Sequence, residues 1–378
     1  MRTTFVFDTV IYRVENEYYT RTLIYNLWKE RYIPHFGSMT IMTRVQDVNK
    51  DFIEKNEMLQ KVNGDNVKVK PVESYKKVPD VFFKRKKIIN EMINEIEESD
   101  FVIIRTPAVL SNIAAKICLD REIPFLNEMV ADPWNGYYYH SNIAGKLIAP
   151  YMYFKTKNTC KKSNNIIYVT KQYLQNRYPS GGENIIGLSD VIIPFRDSVI
   201  LTKRLEKIKK IEKSQKLKIG IIGNYDLRTK GQDLVIDILP SMNKKIVIEL
   251  IGAGDKTFLK SKALKNKVGD QVHFIGTKKS GDDIFEWMDS IDLLVVPSFQ
   301  EGLPRVVVEA MSRGLPVIGS DVGGIPELID KSCIFKKGDR NDLEKKVKSL
   351  LTSPHNLKKQ AEKNFDRAKN FEYESIKK

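Results

Sequence analysis

The sequence predicts an α/β protein built from two Rossmann-like, doubly wound units facing a cleft. Three observations carry that expectation. The chain has 378 residues, a length that suits two medium domains better than one. Short β-branched runs recur along it with helix-length stretches between them, the mark of βαβ units. The runs are also continuously apolar rather than alternating, as strands are when helices cover both faces of a parallel sheet.

In the first half, TTFVFD (3–8), SMTIMTRV (38–45), FVIIRT (101–106), IPFLNEM (123–129) and IIYVT (166–170) read as strands. YTRTLIYNLWKE (19–30) and SNIAAKICLDRE (111–122) supply helices between them. The second half is more regular: LKIGIIG (217–223), IVIELIG (246–252), VHFIG (272–276), LLVVPS (293–298) and PVIGS (316–320) give a sheet of five or six strands. Helix-length stretches such as GQDLVIDILPSM, KTFLKSKALKN and SGDDIFEWMDS separate them. The expected domains are therefore 1–200 and 217–355. The basic, Leu/Ile-dotted stretch 201–216 reads as the linker, with a helix as one form it can take, and a C-terminal helix over 356–378 is expected to pack back on the first domain.

Composition narrows the function classes. Hydrophobic residues are 42% and aromatics 10%, enough for packed cores and against global disorder. The 15 Pro and 21 Gly are scattered, which excludes collagen-like or linker-like low complexity. Cys118, Cys160 and Cys333 stand far apart with no C-x-x-C, so a disulfide framework or a zinc cluster is not expected and a reducing compartment is. The start, MRTTFVFDTV, carries Asp8 in its first apolar stretch and reads as a strand rather than a signal peptide. The longest apolar run, Leu147 to Phe154, falls far short of the roughly 18–20 residues of a spanning helix. The expected location is cytoplasmic, with contact to the inner face of a membrane. The 63 Lys and Arg outnumber the 48 Asp and Glu by 15, an excess that asks for nucleic acid, an anionic membrane or a phosphorylated substrate.

In open parallel sheets, ligands sit beyond the carboxyl ends of strands. There the sharpest feature is PSFQEGLPRVVVEAMSRGLPVIGSDVGGIPEL (297–328), which runs from a strand into a helix. Pro304 suits the first helical position, and Gly302, Leu303, Arg305 and Val306 offer main-chain amides at a helix start, where phosphate is favoured. Glu301 lies in the preceding loop and Glu309 about a turn and a half into the helix. Two carboxylates there suit the hydroxyls of a sugar or ribose; the ordinary alternative is a dipole-stabilised Glu and a surface Glu. Gly252-Ala253-Gly254 lacks the third glycine of a dinucleotide fingerprint, since Thr257 occupies its place, and no P-loop pattern occurs.

The 301–327 stretch resembles the E-x7-E region of the large family of retaining glycosyltransferases of GT-B fold (family 4). That resemblance covers 216–340 well and the first half in outline. It implies a nucleotide sugar bound mostly by the C-terminal domain. Glu309 would hold the ribose hydroxyls, Glu301 the transferred sugar, and the amides that follow it the diphosphate. In IGIIGNYDLRTKGQDLVIDIL (219–239), Lys230-Gly231 matches the family's Lys-Gly at a helix start. Gly223 and Asn224 border the same donor, but Asn224 stands where the family has an Arg, leaving Arg228 as the candidate substitute. Lys230 and Arg228 would stabilise charge growing on the leaving diphosphate. Thr277, at a strand end, would border the base or simply form a turn. The resemblance implies no cofactor and no metal, with front-face attack by the acceptor hydroxyl while the departing diphosphate takes its proton. UDP and GDP donors stay open. A nucleotide-sugar epimerase of the same fold and a non-catalytic glycan- or nucleotide-binding protein are the alternatives.

The acceptor is expected on the first domain. IPFLNEMVADPWNGYYYHSNIAGKLIAP (123–150) gathers Glu128, Asp132, Trp134, Asn135, three tyrosines and His140, with rings for apolar sugar faces and polar groups for hydroxyls. Its D-P-W-N is similar to that of bacterial capsule and lipopolysaccharide glycosyltransferases. Asp132 is the first candidate to meet the acceptor hydroxyl and His140 the second; a helix cap and a structural histidine are the ordinary readings. Arg105, ending FVIIR, is a further acceptor-side candidate.

The charge is uneven. Residues 151–218 hold 15 Lys and Arg against 5 Asp and Glu, and KKVPDVFFKRKK (76–87) holds six basic residues, one acidic, and Phe82-Phe83. Basic residues interleaved with apolar ones suit an anionic membrane, where a lipid-diphosphate-linked or other glycan acceptor would be met. Nucleic acid is not expected, because no nucleic-acid module is present.

Overall fold

A computed structural model describes residues 1–56, 59–75, 80–140, 143–194, 197–211, 216–242, 245–279 and 281–376; of 80–82, 140 and 376 it describes the backbone. The chain divides into two compact units. The first comprises Met1–Pro133, Pro150–Val169 and Leu174–Gly187, and the second Trp134–Ala149, Thr170–Tyr173 and Leu188–Lys378.

The first unit holds a nine-stranded sheet. Its strands are β1 (Arg2–Val14), β2 (Glu17–Thr20), β3 (Ser38–Asp47), β4 (Gln60–Lys61), β5 (Val67–Val72), β6 (Phe101–Thr106), β7 (Phe125–Met129), β8 (Asn165–Tyr168) and β9 (Asn184–Gly187). Seven are parallel in the order β5-β3-β1-β6-β7-β8-β9, while β2 pairs antiparallel with β1 and β4 antiparallel with β2. The five expected strands are all present. Two departures have plain causes. β5 reads VKVKPV, Lys and Pro on an edge strand, so it lacks a continuous apolar run. The expected helix 19–30 starts only at Tyr25, because Tyr18 and Tyr19 pair with Arg13 and Tyr12 across a two-residue turn in which Glu15 takes φ +54°.

The second unit holds a six-stranded sheet in the order β12-β11-β10-β13-β14-β15. These are β10 (Leu217–Ile222), β11 (Ile246–Ile251), β12 (Val272–Gly276), β13 (Leu293–Val296), β14 (Val317–Ser320) and β15 (Ile334–Phe335), all parallel. Every residue of β11, β13 and β14 is buried, as continuous apolar runs require. The order reverses between β10 and β13. Strands on either side of such a reversal send their exit loops in opposite directions, which opens a crevice beyond their carboxyl ends.

One expectation about connections is made definite and one is corrected. The stretch read as a linker is the helix Ser198–Lys209, capped by Asp197, with residues 212–215 outside the description. Arg204, buried at 4% exposure, donates to the carbonyls of Arg313, Ile291 and Met288 at 3.3, 2.7 and 2.7 Å. Lys207 donates to the carbonyls of Asp289 and Ile291 and pairs with Asp292. Two cations thus meet the negative end of the helix Asp282–Ser290. Part of the basic excess of 151–218 is spent inside the unit.

The C-terminal helix Pro354–Arg367 packs on the second unit, where the expectation had the first. It buries Leu357, Ala361 and Phe365, Asn364 donates to the Leu315 carbonyl, and Lys363 pairs with Asp330. Its apolar stripe repeats every three to four residues and meets helices of the second unit, Ser198–Lys209 among them.

Burial pulls the Arg204 guanidinium down to about 10, and its charge is held there by carbonyls and by Asp289. Arg204→Ala is therefore expected to cost about 3 kcal/mol or more, because the Met288 and Arg313 carbonyls lose this donor and Ile291 keeps only Lys207. A urea unfolding free energy lowered by that amount checks it; an unchanged midpoint and slope would mean the helix is not held this way.

Candidate active site

The loops leaving β10 and β13, on either side of the strand-order reversal, are locked to each other by main-chain contacts. After β10 come Gly223 and Asn224, then a 3₁₀ turn over Arg228–Lys230 and Gly231 at φ +64°. The Phe299 amide donates to the Thr229 carbonyl at 2.8 Å. A Cβ on Gly231 would lie 2.0 Å from the Pro297 carbonyl oxygen, so only glycine allows the approach. On the other flank, the Gly324 amide donates to the Gly302 carbonyl at 2.6 Å, and a Cβ on Gly323, at φ +55°, would lie 2.3 Å from the Glu301 carbonyl oxygen. The Ser320 hydroxyl donates to the Ser298 carbonyl. The glycines of the 297–328 motif therefore fix the course of the loop that carries Glu301.

This packing brings Lys230 and Glu301 together. Lys230 Nζ donates to Glu301 Oε1 at 2.8 Å, and Ser298 Oγ donates to the same oxygen at 2.6 Å. Glu301 is largely enclosed, with its side chain 13% exposed against 30% for Lys230. An ammonium has three donors, so Lys230 keeps capacity for an anion while holding the carboxylate. Gln232 donates to the Gly223 carbonyl, and the Lys230 side chain crosses Gly223 so closely that a Cβ there would lie 2.8 Å from its Cγ.

The helix after the loop is Arg305–Ser312; Pro304 is its N-cap rather than its first residue, a one-position correction. The amides of Arg305 and Val306 open that helix, in the first turn where no intrahelical acceptor exists. Gly302 and Leu303 precede them in the loop. Glu309 is buried on this helix, its Oε1 accepting from Arg305 Nε at 2.9 Å. Burial pushes the Glu309 carboxyl above the usual glutamate range, and the Arg305 hydrogen bond opposes that rise.

Other expected residues fall differently. The Arg228 guanidinium stacks 3.7 Å over the Phe258 ring, and Asn224 is exposed. Thr277 is exposed just beyond Gly276. Tyr225 escaped the sequence reading, yet it ties three strand exits together. Its hydroxyl donates to the Leu250 carbonyl and accepts from the Gly276 amide, while its own amide donates to Ala253. A lone Tyr in N-Y-D gives no periodic signal.

The helix Pro133–His140 lies with the second unit from Trp134 onward. Trp134 stacks on Tyr138, Tyr139 packs on Phe299, and Lys337 sits 4.8 Å over the Tyr139 ring. The Asn135 amide donates to the Tyr173 hydroxyl. Aromatic rings thus border the Glu301 loop. The His140 side chain lies outside the described residues.

In the first unit, Asp132 is not the open carboxylate expected for an acceptor hydroxyl. It is fully enclosed, accepts from the Tyr178 hydroxyl, and pairs with Arg177 at 3.0 Å. Burial and the nearby Asp132 hold the Tyr178 phenol well above its usual range. Glu128 and Arg105 face each other across β6 and β7 and pair at 3.0 Å, while the Tyr32 hydroxyl donates to the other Glu128 oxygen. Near the same strand ends, Asp8 pairs with Arg44 and accepts from the Tyr75 hydroxyl and the amides of Val109 and Leu110. Those amides open the helix Val109–Asp120, so Asp8 meets its positive end. Among the described residues, no three His, Cys, Asp or Glu side chains gather as a metal-ligand set.

Comparison with known proteins matches this architecture. The family described as glycosyl transferases group 1 matches residues 216–353. Protein CapJ of Staphylococcus aureus is 32% identical over 357 residues, 93% of this chain and 87% of that protein. Sucrose-phosphate synthase from Thermosynechococcus elongatus superposes with a TM-score of 0.71 at 15% identity, over 99% of this chain and 96% of that one. Anabaena HepE in complex with UDP gives 0.68 at 15% identity, over 100% and 97%. With both sheets, the matched motif and a relative similar along nearly the whole chain, this protein belongs to the group 1 glycosyltransferases and has the GT-B fold.

Proposed function

We propose that this glycosyltransferase is a retaining enzyme that moves a sugar from a nucleoside-diphosphate donor to a hydroxyl of a glycan or lipid-linked acceptor in surface polysaccharide assembly. The observation that carries the reading is the Lys230–Glu301 pair, held by Ser298 at the strand-order reversal. A carboxylate and an ammonium side by side suit the two ends of such a donor, sugar hydroxyls and diphosphate. HepE, captured with UDP and with UDP-glucose, supports a UDP donor, and the similarity to Protein CapJ along nearly the whole chain supports a capsule-type role.

In this reading the bond between the sugar's anomeric carbon and the diphosphate breaks while the acceptor oxygen bonds that carbon from the same face. The acceptor's proton passes to the departing diphosphate oxygen. Lys230 and the amides of Gly302, Leu303, Arg305 and Val306 stabilise the charge that grows there, so no metal is required. Glu301 orients the sugar and Glu309 the ribose. Arg228, held on Phe258, acts at the edge of the diphosphate. Arg105 and Glu128 are the acceptor-side candidates of the first unit, with Asp132 as a buried support rather than a contact. Among the described residues no helix is long and apolar enough to cross a membrane. A lipid-linked acceptor would therefore be met through the basic, apolar-dotted surface that includes Tyr151 and Phe154, both exposed.

Incubation with UDP- and GDP-sugars should yield slow donor hydrolysis without acceptor, in the presence of a chelator, with retention at the anomeric carbon. Glu301→Ala should lower turnover by about 100-fold or more, the scale of losing a transition-state contact, and Glu309→Ala should weaken donor binding about tenfold or more. Epimerised donor, or wild-type rates in both variants, would overturn the assignment.

The raised pKa of Glu309 gives a second test. Its ionised form accepts ribose hydroxyls, so donor affinity should fall as pH drops through that value. Arg305→Ala removes the hydrogen bond that lowers it, and the acid limb of the binding profile should move to higher pH. A limb that stays put or moves down would exclude Glu309 from donor binding.

A further inference from the structure

A cavity of about 310 Å³ lies within the first unit, walled by the helices Asp80–Glu97, Val109–Asp120 and the second half of Ile143–Lys162. It shares no residue with the Lys230–Glu301 site of the second unit. Its volume is at the lower end of small-molecule sites, about 300–1,000 Å³. The two chemistries of its wall are segregated. Ile89, Ile93, Ile113, Ile117 and Met152 line it with aliphatic surface. Arg85, Lys116, Lys155 and Arg121 bring four cations, against Asp120 as the one lining carboxylate among the described residues. Asp120 is engaged by Lys116 at 2.6 Å, and Arg121 reaches out to Glu97.

The cations crowd one another. Burial together with the charges of Arg85, Lys116 and Lys162 holds the Lys155 ammonium below its usual range. A bound anion would relieve that repulsion. Phe83, Tyr151 and Phe154 stand exposed on two of the three walling helices, with Phe83 91% exposed. Inorganic phosphate or a sugar phosphate would leave the aliphatic wall unmatched, and a neutral hydrocarbon would leave the cations unmatched. A ligand with one acyl chain and an anionic phosphate matches both, and exposed aromatic rings beside a basic rim are what a bilayer surface receives.

We propose that this cavity binds a single anionic phospholipid drawn from a bilayer, an acyl chain between the three helices and the phosphate on Arg85, Lys116 and Lys155. The site needs no sugar donor, so it stands or falls separately from the transferase reading.

Titration of the full chain with dihexanoylphosphatidylglycerol below its micellar concentration tests this by calorimetry. Saturable one-to-one binding is expected, with dihexanoylphosphatidylcholine and inorganic phosphate each weaker by about tenfold or more. Ile89→Trp fills the cavity from a half-buried position, and Lys155→Glu inverts one rim charge; each should weaken binding by about tenfold with an unchanged thermal midpoint. If the Trp variant fails to fold, Lys155→Glu decides alone. No saturable binding, equal affinity for the two phospholipids, phosphate binding as tight as the phosphatidylglycerol, or variants that bind like wild type would each overturn the proposal.

Discussion

Everything chemical in the second unit depends on main chains approaching closer than any side chain would permit. Gly231 lies against the Pro297 carbonyl, and Gly323 against that of Glu301, at separations that would put a Cβ within 2.0 and 2.3 Å of oxygen. Both glycines sit at positive φ, so they answer a conformational demand as well as a spatial one. The result is that Lys230 and Glu301, 71 residues apart in sequence, share a hydrogen bond. Ser298 and Ser320 brace the same loop from beneath. Neither charge is placed by its own helix or strand; each is placed by the loop the glycines hold.

The strand-order reversal explains why this happens here. β10 and β13 are neighbours in the sheet, so their exits are adjacent and their loops can interlock. Tyr225 extends the same logic to β11 and β12 by bonding the Leu250 carbonyl and the Gly276 amide. The site is thus the rim of a sheet whose strands β11, β13 and β14 are buried throughout, and the side chains it presents are held by that packing.

Most of this was legible in the sequence, for a physical reason. Strands buried on both faces print as unbroken apolar runs, and all ten expected ones are present. The long E-x7-E motif carries its glycines, its proline and both glutamates in one stretch, so Glu301 and Glu309 were visible together. What escaped was whatever depends on pairing between distant segments. Edge strand β5 hid behind its lysines. Asp132 gave no sign that Tyr178 and Arg177 would bury it, and Asp8 none that Arg44, Tyr75 and a helix start would meet it. The basic stretch around 204 read as a linker within a membrane-suited charge cluster, because charge in a sequence does not say which lysines and arginines cap buried carbonyls. The net charge is accordingly a weaker guide to partners than the local pattern of cations and aliphatic residues in the first unit.

The central claim is that the interlocked loops after β10 and β13 together receive the donor. Amide hydrogen exchange with and without UDP tests it without any acceptor. The account predicts that UDP slows exchange in both 223–231 and 299–306. Protection confined to one of these loops, or absent from both while UDP is bound, would contradict it.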